Sequence, residues 1–302
     1  MRIVQRLVNL KCCNSDRDED LSAYFKHLTS ALGIHNVFNP SFCSLKNVRI
    51  FAFRAIPNGG DSLTSFVSIE DEAGQTVKNL SMDLCGDLNT VQLIDPKIAR
   101  INGGIYITFN SGYVPAGNDV FIMKVYPEME SPRRVLYKGR QEQERNWAFF
   151  SENDEIYALY RINPLKILKL QKADQASWEM EDYFCEEGTN EDLPKNLSIG
   201  TQLAAQDEKY YFVAHKKLYF MRKKIYFGKL CMLDFKKRNI RAGKFWLIHS
   251  LKSLLGSRLK HNTNLLSCTY FSGIQASPGV IRLGYGINDL ETGFSVHTSD
   301  DL

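Results

Sequence analysis

Three observations in the sequence predict an all-β fold, a five-bladed β-propeller with blades of about four antiparallel strands. A hairpin-like unit begins at residues 39, 95, 146, 200 and 273, so that successive units start 56, 51, 54 and 73 residues apart. Aromatic residues, which are enriched in strands, make up 12% of the chain. Intervals of this length leave room for four short strands, and radial repetition of such units is typical of a β-propeller.

Each unit reads as two short strands around a central turn, and its first and last residues are fifteen positions apart. The turns are polar or contain Gly or Pro, as in Asn102-Gly103-Gly104 of the second unit. About six residues out and six back, at roughly 3.3 Å each, return the chain to its starting level, so we expect both ends of every unit to lie together. The units are NPSFCSLKNVRIFAFR, DPKIARINGGIYITFN, NWAFFSENDEIYALYR, GTQLAAQDEKYYFVAH and GIQASPGVIRLGYGIN.

The segments between the units supply the outer strands of a single domain spanning residues 1–302. Only 14 residues, 289–302, follow the last unit, so we expect an N-terminal strand near residues 3–9 to complete the last blade. The longest interval contains FWLIHSLKSLLGSRLKHN, whose apolar spacing predicts a short helix. The alternative is a β-sandwich in which similar hairpins recur by chance.

The composition is that of a globular chain, since 44% of the residues are hydrophobic and 24% are charged. The formal net charge of +4 is too small to indicate a nucleic-acid partner. The basic residues cluster, however, because between His215 and Lys244 there are eleven Lys or Arg residues and one acid, Asp234. This basic run, residues 216–244, indicates either solvated loops and edge strands or contact with an anionic or lipid-linked acceptor.

Seven cysteines without a Cys-x-x-Cys pair argue against a disulfide framework and against a zinc ribbon. No metal and no other cofactor is expected. The N terminus lacks the apolar stretch of a signal peptide, and no window holds the roughly twenty apolar residues of a membrane span. A reducing, cytoplasmic location is therefore expected.

In a propeller the polar ends of the innermost hairpins converge on one axial pocket. An inverting glycosidase needs two carboxylates there. One acid among several cations instead suits a reaction whose second partner is an anion such as phosphate, because Arg binds phosphate oxygens in a bidentate manner. The predicted rim has one carboxylate and consists of Asn39, Arg54, Asp95, Asn110, Asn146, Arg161, Gly200, His215, Gly273 and Asn288.

Asp95 is the candidate acid of this rim. Simpler interpretations remain open: Asp95, which precedes Pro96, could only start a strand, the arginines could pair with acids of nearby loops such as Glu144, and a lone histidine is more often a satisfied core residue. The candidates for binding the anion are Arg145, Arg161 and His215.

The motifs NPSF…FAFR, DPK…YITFNSGY, RNWAFF…YALYR, GTQL…VAH and GYGINDLE, in this order, resemble the five-bladed β-propeller family of β-mannoside phosphorylases and related β-mannosyltransferases. The resemblance covers residues 36–301. In that family an Asp in a Glu-Asp-Pro-Arg element acts as general acid, in some members through a hydroxyl of the bound sugar, while phosphate attacks the anomeric carbon with inversion. Asp95 matches that Asp, although the element here reads Ile94-Asp95-Pro96-Lys97.

The resemblance implies a glycosyltransferase or glycoside phosphorylase that moves a β-mannosyl group between a donor and an oligosaccharide or polysaccharide acceptor. The donor side would be inorganic phosphate, a sugar phosphate or a nucleotide sugar. The family's phosphate-binding pair matches Arg145 and Asn146, with Arg161 and His215 as further basic positions. The sugar-binding candidates are Asn39, Arg54, Asn110, Gly200, Thr201, Asn288 and Asp289.

One family element is altered, because a Tyr-x-His motif reads Tyr226-Phe227-Gly228 here. This loss weakens a phosphorylase assignment relative to a transferase with a larger phosphorylated donor. Two further alternatives stay open. A hydrolase on the same fold would need a second carboxylate near the axis, for which Asp289 and Glu144 are candidates. A non-catalytic carbohydrate-binding propeller would bind glycans without turnover.

Overall fold

The computed structural model describes residues 9–56, 63–112, 117–144, 146–220, 222–254 and 264–299, and this part of the chain is an all-β structure. The all-β prediction is therefore confirmed, whereas a single domain over the whole chain stays a prediction. A short helix at Leu251–Leu254 lies in the segment for which such a helix was predicted. The helices are α1 (Glu19–Ala31), α2 (Leu80–Leu84) and α3 (Leu251–Leu254), and a short 3-10 turn spans Cys13–Asp16.

The first three repeated units lie in three groups of four antiparallel strands that follow one another along the chain. The first group contains β2 (Val37–Ser44), β3 (Arg49–Ala55), β4 (Thr64–Asp71) and β5 (Gly74–Asn79). The second group contains β6 (Ile94–Ile101), β7 (Gly104–Asn110), β8 (Val120–Tyr126) and β9 (Arg133–Tyr137). The third group contains β10 (Ala148–Glu152), β11 (Glu155–Arg161), β12 (Lys166–Ala173) and β13 (Ser177–Cys185).

The last two units lie in a fourth and a fifth antiparallel group. The fourth group contains β14 (Leu197–Ile199) and β15 (Ala204–Gln206), which both pair with β16 (Lys209–Phe220), followed by β17 (Lys223–Asp234) and β18 (Asn239–Ile248). The fifth group contains β19 (Leu265–Ser277), β20 (Val280–Ile287) and β21 (Glu291–Thr298). Because β13 also pairs with β9 and β17 with β19, hydrogen bonding alone does not divide the chain into five sheets. The five-blade count thus stays a prediction.

The tight turns inside the units explain why these hairpins form. Both central residues have positive φ at Asn102-Gly103 (45° and 76°), Asn153-Asp154 (51° and 63°) and Asp207-Glu208 (51° and 58°). Two consecutive positive φ angles define the type I′ turn, whose twist matches that of the flanking strands and which favours Asn, Asp and Gly. The polar turn residues of the sequence therefore fix the register of these three hairpins.

The fifth unit is paired differently from the prediction. In the first unit, Ser44 pairs with Arg49 across the turn. Ser44 is as many residues from the unit start, Asn39, as Arg49 is from the unit end, Arg54, so the start and the end lie close together. In the fifth unit the turn follows Ser277 and lies closer to the start, so that Gly273 pairs with Gly284 rather than with Asn288. The expectation that Gly273 lies on the rim beside Asn288 is therefore wrong.

Five apolar clusters join the groups in a closed order. Four of them lie between consecutive groups, first to second, second to third, third to fourth and fourth to fifth. The fifth cluster combines Phe25 and Leu28 of α1 with Phe51 of the first group and Phe294 of the fifth. The fifth group thus packs against the first, which is the order that a propeller predicts.

Helix α1 and two glycines allow the close approach at this junction. The Phe25 ring lies 5.1 Å from the Phe51 ring and 5.4 Å from the Phe294 ring, measured between centroids. On the inner side, a Cβ at Gly284 would lie 2.6 Å from the Pro40 carbonyl oxygen, and a Cβ at Gly286 would lie 2.0 Å from Asn39 Oδ1. The glycines of the LGYGIND stretch therefore leave room for the backbone of β2.

Two glutamine side chains bond to the backbone of strands in neighbouring groups. Gln275 of the fifth group accepts from the Ser44 N–H and donates to the Ser44 carbonyl oxygen, both at 2.8 Å. Gln202, which precedes β15, accepts from the Phe149 N–H at 2.7 Å and donates to the Trp147 carbonyl oxygen at 2.8 Å. Each amide thus satisfies a backbone donor and a backbone acceptor that lie at the edge of an inner strand.

The expected N-terminal strand near residues 3–9 lies almost entirely outside the described residues, so its completion of the last blade stays a prediction. Of residues 3–9 only residue 9 is described, and the strand that follows, β1 (Leu10–Cys12), pairs in parallel with β18 of the fourth group. The chain meets the fifth group further on, where Arg17 forms an isolated bridge with Ser295 and the Asp18 N–H donates to the Phe294 carbonyl oxygen at 3.0 Å. The apolar face of α1 then fills the junction, so the described closure relies on side-chain packing.

The Asp18 side chain connects α1 to Arg282 of the fifth group, and we expect Asp18→Ala to destabilise the protein. Its side chain caps α1 by accepting from the Leu21 N–H at 3.0 Å, and Asp18 Oδ2 lies 3.0 Å from Arg282 Nε. Loss of the cap and the ion pair should lower the free energy of unfolding by about 1–2 kcal/mol. Denaturant unfolding measures this change. The control is Glu19→Ala, whose exposed carboxylate pairs with Arg17, and an equal effect of both variants would contradict the role of Asp18.

Candidate functional site

Three polar residues that begin repeated units share an unusual backbone conformation. Asn39, Asp95 and Asn146 have φ angles of 54°, 54° and 58°, in the left-handed region that Asn and Asp tolerate better than other non-glycine residues. At Asn39 and Asp95 the strand register also shifts, as expected of a bulge. The backbone therefore favours Asn or Asp at these positions, and the same side chains are available for chemistry.

Arg54 binds the carboxylate of Asp95. Its Nη1 donates to Asp95 Oδ1 at 3.0 Å, and its guanidinium carbon lies 5.3 Å from the centre of the Phe38 ring. Only 12% of the Arg54 side chain and 11% of the Asp95 side chain are exposed. Arg54 thus holds the candidate acid in place at the edge of a pocket.

The ammonium group of Lys97 is buried two residues beyond Asp95, and only 1% of this residue is exposed. It donates to Asn146 Oδ1 at 2.5 Å and to the Gly200 carbonyl oxygen, and it lies 5.4 Å from the centre of the Tyr270 ring. Burial lowers the pKa of Lys97 to about 8, while the negative charge of Asp95 acts in the opposite direction. Lys97 therefore connects the second unit with the third, the fourth and the fifth group.

The amide of Asn146 is oriented by two donors. Its Oδ1 accepts from Lys97 Nζ and, at 3.3 Å, from the Tyr270 hydroxyl. Burial raises the pKa of Tyr270 well above its usual range, and the charge of Asp95 adds to this shift, so the hydroxyl remains a donor. Because Oδ1 is occupied, the Nδ2 hydrogens of Asn146 are directed elsewhere and can bind an acceptor atom of a ligand.

His215 is a neutral imidazole in this site. Its Nε2 accepts from the Phe271 N–H at 2.9 Å, which leaves the proton on Nδ1. Burial lowers the pKa of His215 well below its usual range, and the charges of Lys97 and Lys217 lower it further. The predicted anion-binding role is therefore limited to one N–H group rather than a positive charge.

Gly200 makes room for this imidazole, since a Cβ there would lie 2.9 Å from the His215 ring. The altered Tyr226-Phe227-Gly228 element has a similar explanation. A Cβ at Gly228 would lie 2.3 Å from the Phe271 ring. Any side chain at position 228, including the histidine of the resembled motif, would therefore overlap the Phe271 ring.

These residues border an open cavity of about 370 Å³, which we call the candidate pocket. The predicted residues Asp95, Asn146, Arg161 and His215 all line it, although they come from three different units. Arg161 is exposed at the rim and its Nε donates to the Pro164 carbonyl oxygen at 2.9 Å. The other lining residues are Gln141, Gln143, Glu144, Tyr160, Ile162, Leu197, Ser198, Ile199, Lys217, Tyr226 and Tyr270.

Glu144, a candidate second carboxylate, is bound by three protein donors. Glu144 Oε1 accepts from the Gln141 N–H at 2.5 Å and the Tyr160 hydroxyl at 2.6 Å, and Oε2 accepts from Trp147 Nε1 at 2.8 Å. Burial and the bond to Glu144 raise the pKa of Tyr160, so this hydroxyl stays protonated. The network makes Glu144 a positioning residue for the pocket wall.

The predicted sugar-binding residues are not among the described lining of the candidate pocket, and several of them are engaged within the protein. Asn110 Oδ1 accepts from the Gly112 N–H at 2.9 Å, and Asn288 Oδ1 accepts from the Cys268 N–H at 2.7 Å. The Thr201 hydroxyl donates to the Gln202 carbonyl oxygen at 2.8 Å and accepts from the Val213 N–H at 3.0 Å. These side chains shape the backbone around the pocket, which argues against direct sugar contacts.

The remaining predicted residues have other outcomes. Asn39 is buried, and its Oδ1 has no hydrogen-bond partner among the described residues. Asp289 has a positive φ of 55° and partial exposure next to Asn288. Arg145 lies outside the described residues, so its predicted role stays a prediction.

The sequence reasoning missed Lys97 and Tyr270, which organise the pocket. A lysine in a strand usually faces solvent, and the only signal was its place two residues beyond Asp95. Tyr270 precedes the predicted start of the fifth unit by three residues, and the incorrect register of that unit hid it.

Within the described ranges no cluster of His, Cys, Asp or Glu side chains could hold a metal ion. No helix of the described residues is long and apolar enough to cross a membrane.

Several solved structures resemble this chain in fold at low sequence identity. A glycosyl hydrolase from Bacteroides ovatus has a TM-score of 0.59 at 10% identity, with 88% of this chain and 85% of that one covered. A structure from the GH130 family of mannoside phosphorylases, said to contain glycoside hydrolases that target β-1,2-mannosidic linkages in Candida mannan, has a TM-score of 0.60 at 12% identity, covering 88% and 85%. The β-1,2-mannobiose phosphorylase from Listeria innocua, in complex with β-1,2-mannobiose, has a TM-score of 0.58 at 9% identity, covering 88% and 90%.

These similarities show the fold alone, a β-propeller that phosphorylases and hydrolases share. No protein-family model matches the sequence, and no curated protein matches it.

Lys97 should make stability depend on pH. Its pKa is about 8 in the folded protein against an ordinary value of 10.5, so between these values the unfolded chain binds more protons and rising pH favours folding. Relative to Lys97→Met, the free energy of unfolding of the natural protein should increase by up to about 1.4 kcal/mol per pH unit above pH 8. Denaturant unfolding between pH 7.5 and 9.5 measures the difference, with exposed Lys46→Met as the control. Parallel pH profiles for the natural protein and Lys97→Met would contradict this assignment.

Proposed function

We propose that this protein is a glycoside phosphorylase or glycosyltransferase that moves a β-mannosyl group between phosphate, or a phosphorylated donor, and an oligosaccharide acceptor. The observation that carries this proposal is the charge balance of the candidate pocket. One available carboxylate, Asp95, shares the pocket with Asn146, Arg161 and Lys217, while the buried cation Lys97 lies behind it. We propose further that the five antiparallel groups are five blades, which the closed order of the apolar clusters supports.

Asp95 acts as the general acid. In phosphorolysis its protonated carboxyl group donates a proton to the oxygen that leaves the anomeric carbon, directly or through a sugar hydroxyl, while a phosphate oxygen attacks from the opposite face and inverts the configuration. In synthesis the carboxylate removes the proton from the acceptor hydroxyl. The bond from Arg54 fixes the direction from which Asp95 approaches the sugar.

The phosphoryl group binds beside Asp95. The Nδ2 group of Asn146 supplies neutral donors, Arg161 can bind two oxygens at once, and His215 offers one N–H. The charge of Lys97 acts at short range through a region from which water is excluded, where electrostatic attraction is stronger than in solvent. Arg145, by its place next to Asn146 in the sequence, is proposed as a further ligand.

Phosphate is favoured over water as the nucleophile because Glu144 is occupied. A hydrolase that inverts configuration needs a base to activate water, and the Glu144 oxygens already accept three protein hydrogen bonds. The competing hydrolase proposal is supported by one fact, that Asp95 and Glu144 line the same pocket. Asp289 is the other candidate base, and a carbohydrate-binding propeller without turnover is the third possibility.

Sugar recognition is assigned to the pocket wall. Tyr226 and Tyr270 offer aromatic faces for the apolar side of a sugar ring, and Gln141 and Gln143 offer amides for its hydroxyls. Of the sugar-binding residues predicted from the sequence, we retain Arg54, through its bond to Asp95, and Asp289. The other predicted residues are proposed to support the pocket through the backbone.

We expect Asp95→Asn to lower turnover by about 10²- to 10⁴-fold, because in the synthetic direction the amide cannot remove the proton from the acceptor hydroxyl. Phosphate release from mannose 1-phosphate with an oligosaccharide acceptor measures the change. Ligand binding, followed by calorimetry, should persist, since the amide oxygen can still accept from Arg54. The matched control is Asp83→Asn at an exposed helix position, and activity retained by Asp95→Asn would remove Asp95 from the mechanism.

The nucleophile is identified by a comparison of buffers. With a β-mannoside as substrate, we expect mannose 1-phosphate to form in phosphate and no free mannose to form without it. Mannose release in phosphate-free buffer that is abolished by Glu144→Gln would support the hydrolase instead.

A donor screen with nucleotide-activated sugars, read out as nucleotide release, separates a phosphorylase from a transferase. Glycan binding without turnover of any donor would favour the non-catalytic alternative.

A further inference from the structure

The hairpin formed by β16 and β17 ends in a cluster of exposed apolar side chains. Leu218, Tyr219 and Phe220 are 36%, 68% and 53% exposed. Other large apolar side chains that are exposed in the described part, such as Met82 and Leu251, lie apart in the sequence. Three consecutive exposed apolar residues at the end of one hairpin indicate an interaction surface. We call residues 218–220 and 222–224 the hairpin tip.

The hairpin tip is basic as well as apolar. Arg222, Lys223 and Lys224 belong to it, Lys216 and Lys217 precede it, and no acid occurs from residue 209 to residue 233. The strand register places Lys224 opposite Tyr219 and Lys223 opposite Phe220. Each exposed aromatic ring is therefore paired across the hairpin with a cation.

We propose that the hairpin tip docks onto the surface of a membrane that contains anionic lipids. Lysine and arginine side chains are attracted to anionic headgroups, and tyrosine, phenylalanine and leucine enter the boundary between the headgroups and the acyl chains. A soluble polyanion would neutralise the cations but leave Leu218 and Phe220 in water. The combination of both kinds of side chain near the end of one hairpin thus favours a lipid surface.

The hairpin tip extends from the wall of the candidate pocket. Lys217 and Tyr226 face each other in the strand register, and both line that pocket. The residues of the hairpin tip lie between these two in the sequence, at the end of the same hairpin. Docking would bring the pocket close to the membrane. If the proposed function holds, on which this one step rests, the acceptor is a glycan carried by a membrane lipid.

Co-sedimentation with lipid vesicles tests the docking. We expect the natural protein to sediment with vesicles of phosphatidylcholine and phosphatidylserine, but not with phosphatidylcholine alone, and to be released by high salt. The double variant Lys223→Glu with Lys224→Glu should lower vesicle affinity by about 25-fold or more. The double variant Tyr219→Ser with Phe220→Ser should lower it by about tenfold or more.

Matched controls separate the hairpin tip from general surface properties. Met82→Ser with Val91→Ser removes two apolar side chains that are 80% and 87% exposed elsewhere, and Lys78→Glu with Lys138→Glu reverses two distant charges. Both should bind vesicles as the natural protein does. Thermal unfolding should show that all variants are folded.

The docking proposal is overturned if the natural protein ignores anionic vesicles, or if the two hairpin-tip variants bind them unchanged. It is also overturned if the protein binds soluble heparin but no vesicles, since the ligand would then be a polyanion in solution. Turnover with a soluble acceptor should be unaffected by the hairpin-tip variants. Vesicle binding needs no turnover, so its failure and the failure of the proposed function are distinguishable.

Discussion

The arrangement of the candidate pocket depends on one buried cation. The Lys97 ammonium has left water, which is unfavourable unless hydrogen bonds and nearby charges compensate. It is compensated by the Asn146 amide, the Gly200 carbonyl oxygen and the Tyr270 ring, and by the neighbouring charge of Asp95. These partners belong to different parts of the chain, so the ammonium is satisfied only when the groups have assembled around it.

The same cation determines the chemistry that the pocket can support. It fixes the Asn146 oxygen and thereby turns the amide hydrogens toward other partners, and its charge adds to the burial that lowers the pKa of His215. Arg54, from the first group, performs the corresponding task for Asp95. The proposed acid Asp95 and the proposed anion-binding residue Asn146 are thus positioned by two cations that are not among the described lining of the pocket. In the proposed function, such a site binds negative charge without exposing all its positive charge to solvent.

Much of this organisation could be predicted from the sequence. Turn residues with left-handed preferences set the hairpins, and four of the five predicted units have the correct register because their turns lie at the centre. The fifth differs because its turn follows Ser277, and this shift concealed Tyr270. The role of Lys97 could not be inferred, since its partners are 49 and 103 residues away and a lysine carries no local sign of burial. The occupation of Glu144 likewise depends on tertiary contacts.

The glutamines at the inner strands have a consequence for the behaviour of the protein in solution. A strand edge with free N–H and C=O groups can pair with a strand of another molecule, which leads to aggregation. Gln202 and Gln275 each present an amide in place of the missing neighbour, so the edges at Phe149 and Ser44 are already occupied. These two strand edges are thereby protected from pairing with a strand of another molecule.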